Sequence, residues 1–174
     1  MGATPALKDL YTVDTRVVYP FIEAVINTLK GQCNCVAKVG KPSFKDINSE
    51  DRVNVLIQAT LCNQTALASV TICCNNRFFF ALMGRMHGTT YNKLSPEIED
   101  GAKELMNILF NQAKKSLLEK GFAAIRSIPT IIFGDNILVR YLTRGQPMVL
   151  PFNTDIGHFS LEVSTQELSI SDKV

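Results

Sequence analysis

Apolar residues recur every three or four positions through SPEIEDGAKELMNILFNQAKKSLLEK, Ser95 to Lys120, and that recurrence predicts a helix. Ile98, Ala102, Leu105 and Leu109, flanked by Met106 and Ala113, form the stripe of a helix packed on a core. Ser95 is placed to cap and Pro96 suits the first helical position. Glu97 and Glu99 complement the N-terminal dipole, while Lys114, Lys115 and Lys120 precede the terminating Gly121. At about 100° per residue, the opposite side carries Asp100, Lys103, Glu104, Asn107, Asn111 and Lys114 as one polar stripe. Phe110 at its edge and Leu118, about three turns beyond Asn107, are apolar exceptions. Taken alone, such a stripe is a solvated face whose acids and lysines make pairs worth about 0.3–0.5 kcal/mol.

The remaining pattern is mostly that of strands. A short helix is predicted over Tyr19 to Leu29, with Pro20 near its start, Phe21, Val25 and Leu29 inward, and Gly31 after it. Residues 34–46 read as a strand interrupted at Gly40-Lys41-Pro42. VNVLIQATL and TALASVTIC, parted near Cys62-Asn63-Gln64, read as a hairpin. Asn75 to Met86 has helix boundaries, an asparagine cap and a closing His87-Gly88, although its three phenylalanines also suit a strand. Beyond the long helix, AIRSIPTIIFG, ILVRYLTRG, PMVLPFNTD and HFSLEVSTQEL read as four strands of an antiparallel meander. Their turns are expected at Gly134-Asp135-Asn136, Gly145-Gln146-Pro147 and Asp155-Ile156-Gly157. Strands on both sides of a long helix, linked by turns, predict an α+β two-layer sandwich: a mostly antiparallel sheet covered on one face by helices. Residues 1–174 are expected to form one domain, with a frayed tail at 168–174.

Composition narrows the chemistry. Eighteen basic and sixteen acidic residues are spread along 174 positions for a net charge of +2. No basic cluster interleaved with aromatics indicates nucleic acid. Charges interrupt the first twenty residues, the longest strongly apolar run is six residues, Phe78 to Met83, and Ala6 stands where a myristoylation signal needs serine or threonine. The expectation is a soluble, cytoplasmic chain without membrane insertion. Five cysteines without a paired C-x-x-C, and only His87 and His158 to supplement them, make no zinc site. No cysteine has an arginine six positions on, as a phosphate-cradling nucleophile needs, and Cys62, Cys73 and Cys74 are expected to be small buried hydrophobes.

Pro129 stands 22 positions after Asn107. Asp100, Glu104, Asn107 and Pro129 together reproduce the D/S-x3-E-x2-N-x21-P signature of the CheX/CheC/FliY chemotaxis phosphatases, a match whose chance odds are on the order of 10⁻³. The chain resembles that family over most of its length: YPFIEAVINTLKG is similar to the opening helix of CheX proteins, and the later elements follow in family order. Glu23 and Asn27 lack a proline 22 positions on, where Ser49 stands. A single signature resembles CheX, whereas CheC carries two.

The resemblance implies a CheC-like fold and removal of phosphate from the aspartyl-phosphate of a CheY-type response regulator. It assigns Asn107 to orienting the attacking water and Glu104 to pairing with the regulator's lysine. No cofactor is bound by this chain on that reading, because the regulator supplies Mg²⁺. A homodimer is implied as well. A carboxamide suits the water-orienting position, since it accepts and donates hydrogen bonds without placing negative charge beside phosphate. Asp100 is expected to support the helix start or contact the regulator, and Lys103, Asn111, Phe110 and Leu118 to contact it, the last two as apolar side chains on a wet face unless another strand or a second subunit covers that end of the helix. Pro129 is expected to be structural, at the start of a strand. The alternative reading is a non-catalytic adaptor that binds a response regulator or a flagellar switch component.

Overall fold

The β-branched residues that predict the hairpin form it. In the computed structural model, which describes residues 13–46, 48–141 and 145–168, β3 (Arg52–Cys62) and β4 (Ala66–Cys74) pair antiparallel from Val55↔Cys74 to Cys62↔Leu67. The turn between them is built by Asn63, whose side-chain oxygen accepts from the backbone N–H of Thr65 at 2.9 Å and of Ala66 at 2.8 Å. Alternation then sends Val55, Ile57, Ala59 and Leu61, with Ala68, Val70 and Ile72, into the main core.

This hairpin is the centre of a larger sheet. On one side β8 (Gly157–Glu167) pairs with β4, and β7 (Met148–Thr154) with β8 through a tight turn at Gly157, whose φ is 136°. The predicted interrupted strand becomes two short ones, β1 (Lys38–Val39) and β2 (Ser43–Phe44), both on the outer edge of β7. On the other side β5 (Ile125–Arg126) and β6 (Thr130–Leu138) both pair with β3. All the pairings are antiparallel, and the order is β1-β7-β8-β4-β3-β5, with β2 also on β7 and β6 also on β3.

Two expectations for the C-terminal half are corrected. Gly134-Asp135-Asn136 makes no turn: β6 runs through it, because β3 offers partners on both sides, Phe133↔Val55 and Ile137↔Val53. A register shift between Val53 and Val55 absorbs the irregularity, and Asn136 takes a left-handed φ of 58°. Nor do the last strands form a meander, since β6 and β7 lie toward opposite edges and only β7 and β8 make a hairpin. Of the strand expected over Ile137 to Gly145, only Ile137 and Leu138 belong to β6. Tyr141 packs under the Lys45 ammonium, 5.8 Å from its ring centre, instead of joining the ladder, and residues 142–144 lie outside the described ones.

Three helices cover one face. α1 (Thr15–Cys33) begins earlier and ends later than expected, with Asp14 as its cap, Pro20 and Gly31 inside it, and Asn34 closing it at φ 45°. Pro20 forgoes one backbone bond, yet Val17, Val18 and Phe21 around it are buried, and that burial carries the helix through the proline. α2 (Asn76–His87) and α3 (Pro96–Glu119) match their predicted boundaries. Asn75 accepts from Phe78 N–H at 2.8 Å, and Ser95 caps α3. The apolar face of α3 is buried as its spacing requires, with Ile98, Ala102, Leu105, Met106, Leu109 and Ala113 each at most 1% exposed.

Cys73 and Cys74 are buried, but Cys62, expected in the core, is exposed because it sits at the hairpin turn. Leu168, assigned to the frayed tail, donates its N–H to Thr65 O at 2.8 Å. Residues 169–174 of that tail and the N-terminal residues 1–12 lie outside the described ones. No described helix is long and apolar enough to cross a membrane.

Candidate functional site

Core packing turns the stripe of α3 outward. Asp100, Lys103, Glu104, Asn111 and Lys114 are exposed, and Asn107 is half-buried among them. The surface pairing expected of an ordinary polar face is nearly absent. Among the described residues the helix contains one ion pair, Lys115–Glu119 at 4.0 Å, and it lies outside the stripe. Neither the Glu104 carboxylate nor the Asn107 carboxamide is held by another described side chain, and the two stand one turn apart, facing solvent.

Phe110 is a correction. It is 4% exposed and meets Phe21 of α1 edge-on, with ring centres 4.9 Å apart. The Arg126 guanidinium covers it at 5.0 Å. On the flank of the stripe it falls on the side that α1 occupies, so it anchors the helix and cannot touch a partner. Leu118 keeps its expected exposure, at 51%. Pro129, half-buried, stands immediately before β6, in the link from β5, where its missing N–H costs the ladder nothing. It adds no group to the stripe.

Chemically, the stripe offers two carboxylates, Asp100 and Glu104, two neutral amides, Asn107 and Asn111, and the lysines Lys103 and Lys114. Burial pushes the Cys33 and Cys74 thiols up to about 12, and raises Cys35 and Cys73 too, so these four stay protonated and supply no thiolate nucleophile. Among the described residues no three histidine, cysteine or acidic side chains converge to hold a metal ion. What remains is an outward surface of carboxylates, amides and lysines, chemistry of hydrogen bonding and charge.

An antiparallel sheet with helices on one face, showing an acid and an amide one turn apart on the longest of them, belongs to the CheC-like class of folds. A CheC-like superfamily protein from Shewanella sp. PV-4 superposes with a TM-score of 0.80 at 24% identity, over 88% of this chain and 99% of that one. The family model described as Chemotaxis phosphatase CheX matches residues 63–153, over half of the sequence, and the chain belongs to that family. The chemotaxis protein CheX from Vibrio vulnificus is similar over 86% of this chain and 99% of its own, at 25% identity and a TM-score of 0.79. A CheX–CheY–BeF3–Mg²⁺ complex from Borrelia burgdorferi matches at 19% identity and a TM-score of 0.69, over 90% of this chain and 100% of that one. No curated protein sequence matches.

Proposed function

We propose that this chain hydrolyses the aspartyl-phosphate of a CheY-type response regulator, with Glu104 pairing to the regulator's lysine and Asn107 orienting the attacking water. The observation that carries this reading is the pair itself: two groups one turn apart on the outward face of a packed helix, neither held by another described side chain. Phosphoryl transfer asks little covalent chemistry of a protein and responds to positioning and charge. An amide oxygen that accepts from water, beside an amide N–H₂ that donates, aligns a nucleophile without repelling phosphate. The magnesium ion is the regulator's. The Borrelia relative, crystallised with CheY, BeF3 and Mg²⁺, supports both partner and ion, and the stripe has no third acid with which to cage a cation.

The decisive assay mixes the protein with a phosphorylated receiver and magnesium and compares loss of phosphate with the receiver's spontaneous rate. Acceleration is the expected result, whereas binding without acceleration would make the chain an adaptor.

Asp100, Lys103 and Asn111 border the working pair and are proposed to contact the regulator, with Leu118 docking an apolar side chain at the helix end. Leu118→Ser should weaken regulator binding by roughly three- to tenfold, the loss of one partly buried leucine contact. Titration calorimetry with an activated receiver reads this, and unchanged affinity in a folded variant removes Leu118 from the interface. A cytoplasmic homodimer completes the reading. Among the described residues the outer edge of β6 is unpaired, and Ile125 and Ile128 beside it are 82% and 84% exposed, the profile of an edge that a second copy covers. Sedimentation velocity at micromolar concentration should return twice the chain mass; a monomer there would exclude the dimer.

A further inference from the structure

α2 and α3 meet at a glycine. Gly101, sixth residue of α3, is buried, and a Cβ built on it would lie 2.4 Å from Cε1 and 2.6 Å from Nε2 of His87, the last residue of α2. The imidazole therefore fills the volume that any other residue would need. The ring is tethered, since its Nδ1 lies 2.7 Å from the Tyr91 hydroxyl and the two rings meet edge to face. The link between the helices is pinned by a second glycine. A Cβ at Gly84 would lie 2.6 Å from the Thr89 carbonyl oxygen, and Thr89 N–H donates back to Gly84 O at 3.0 Å. Glycine inside a helix is unfavourable relative to alanine and marks close packing. Here Gly101 lies at the crossing itself and Gly84 under the link that follows α2.

α3 is thus held at two places that bracket its working pair. Phe110 against Phe21 holds the helix after Asn107, and His87 seated on Gly101 holds it before Glu104. We propose that His87, tethered by Tyr91 and seated on Gly101, is a positioning residue that sets the height and rotation of α3 at which Glu104 and Asn107 meet the regulator. The inference rests on the phosphatase reading above. A methyl group at residue 101 requires a displacement of about 1 Å to restore ordinary contact. The Tyr91 tether resists movement of the ring, and Glu104, about 4.5 Å further along the helix axis, inherits whatever part of the shift the helix takes up.

Gly101→Ala should lower the maximal dephosphorylation rate about tenfold, in line with the sensitivity of positioned reactions to ångström displacements, with a smaller change in half-saturating regulator concentration. Gly101→Ala/His87→Ala should recover most of the rate, because the second truncation vacates the space that the methyl needs; generalised damage to the fold is not repaired by removing a further side chain. A wild-type rate in Gly101→Ala, or a double variant as slow as the single one, overturns the proposal. If Gly101→Ala does not fold, Tyr91→Phe carries the test: loss of the tether must lower the rate at unchanged affinity, and an unchanged rate overturns it. If the wild-type chain itself does not accelerate dephosphorylation, the phosphatase reading fails separately. The positioning is then read from the Asn107 side-chain amide resonance, which must move in Gly101→Ala and return in the double variant.

Discussion

Asn107→Ala is expected to slow receiver dephosphorylation by at least about 10²-fold, the effect of removing one positioned polar group from a transition state. Regulator affinity should change little, since the side chain is half-buried at the centre of a stripe whose charges and Leu118 lie around it. A fall in maximal rate at constant affinity marks a group that acts in the transition state. Asn107→Asp should do no better than alanine. It keeps the size and one acceptor but loses the N–H₂ donor and places a carboxylate beside phosphate oxygens, where like charges repel. Quenched-flow measurement with a labelled receiver distinguishes these outcomes. Acceleration that survives in Asn107→Ala would transfer the water-positioning role to another residue even if the chain remained a phosphatase.

Lys45→Met is expected to destabilise the fold by about 3–5 kcal/mol, the range for stripping one partner from a buried ion pair. Lys45 follows β2 and reaches Glu162 of β8, 117 residues away, with its ammonium 2.8 and 2.9 Å from the two carboxylate oxygens. The side chains are 9% and 6% exposed, on the sheet face turned away from the helices, so neither charge has water to fall back on. Leu161 and Val163, on either side of Glu162, point into the main core, which sends Glu162 to the other face by alternation. Lys45→Met/Glu162→Leu should recover most of the loss, since apolar replacement of both partners removes the desolvation cost together with the attraction. Urea unfolding of wild type, both singles and the double measures this. A single variant that costs less than about 1 kcal/mol, the worth of an exposed pair, would show that the pair is hydrated in solution.

That pair illustrates where sequence reading stops. The hairpin, α2 and α3 were legible because their information is local: β-branched alternation with an Asn63 turn, asparagine and serine caps, and an apolar repeat that agrees with both ends of its helix. The outward placement of Glu104 and Asn107 followed from the same repeat. α1 was harder because Pro20 and Gly31 carry local signals to start and stop, and these were overridden by burial of Val17, Val18 and Cys33. Gly134-Asp135-Asn136 has a turn's composition, and pairing of its flanks with β3 makes it a bulge within one strand instead of a turn between two. Phe110 shows the limit most directly. Angular position puts it on the flank of the stripe, and whether that flank meets water or a neighbouring helix is not a property of α3.

His87 on Gly101 belongs with these. A glycine in the middle of an otherwise strong helix was the available signal, but it names no partner until α2 is folded against it. By itself, the order of residues determined the strand-forming and helix-forming segments, the outward stripe and the signature it carries, because period, caps and spacing act within one element. Tertiary structure alone decided the strand order, the burial of Phe110, the Lys45–Glu162 pair and the seating of α3 on His87, because each depends on contacts between segments distant in sequence or on the angle at which two elements meet.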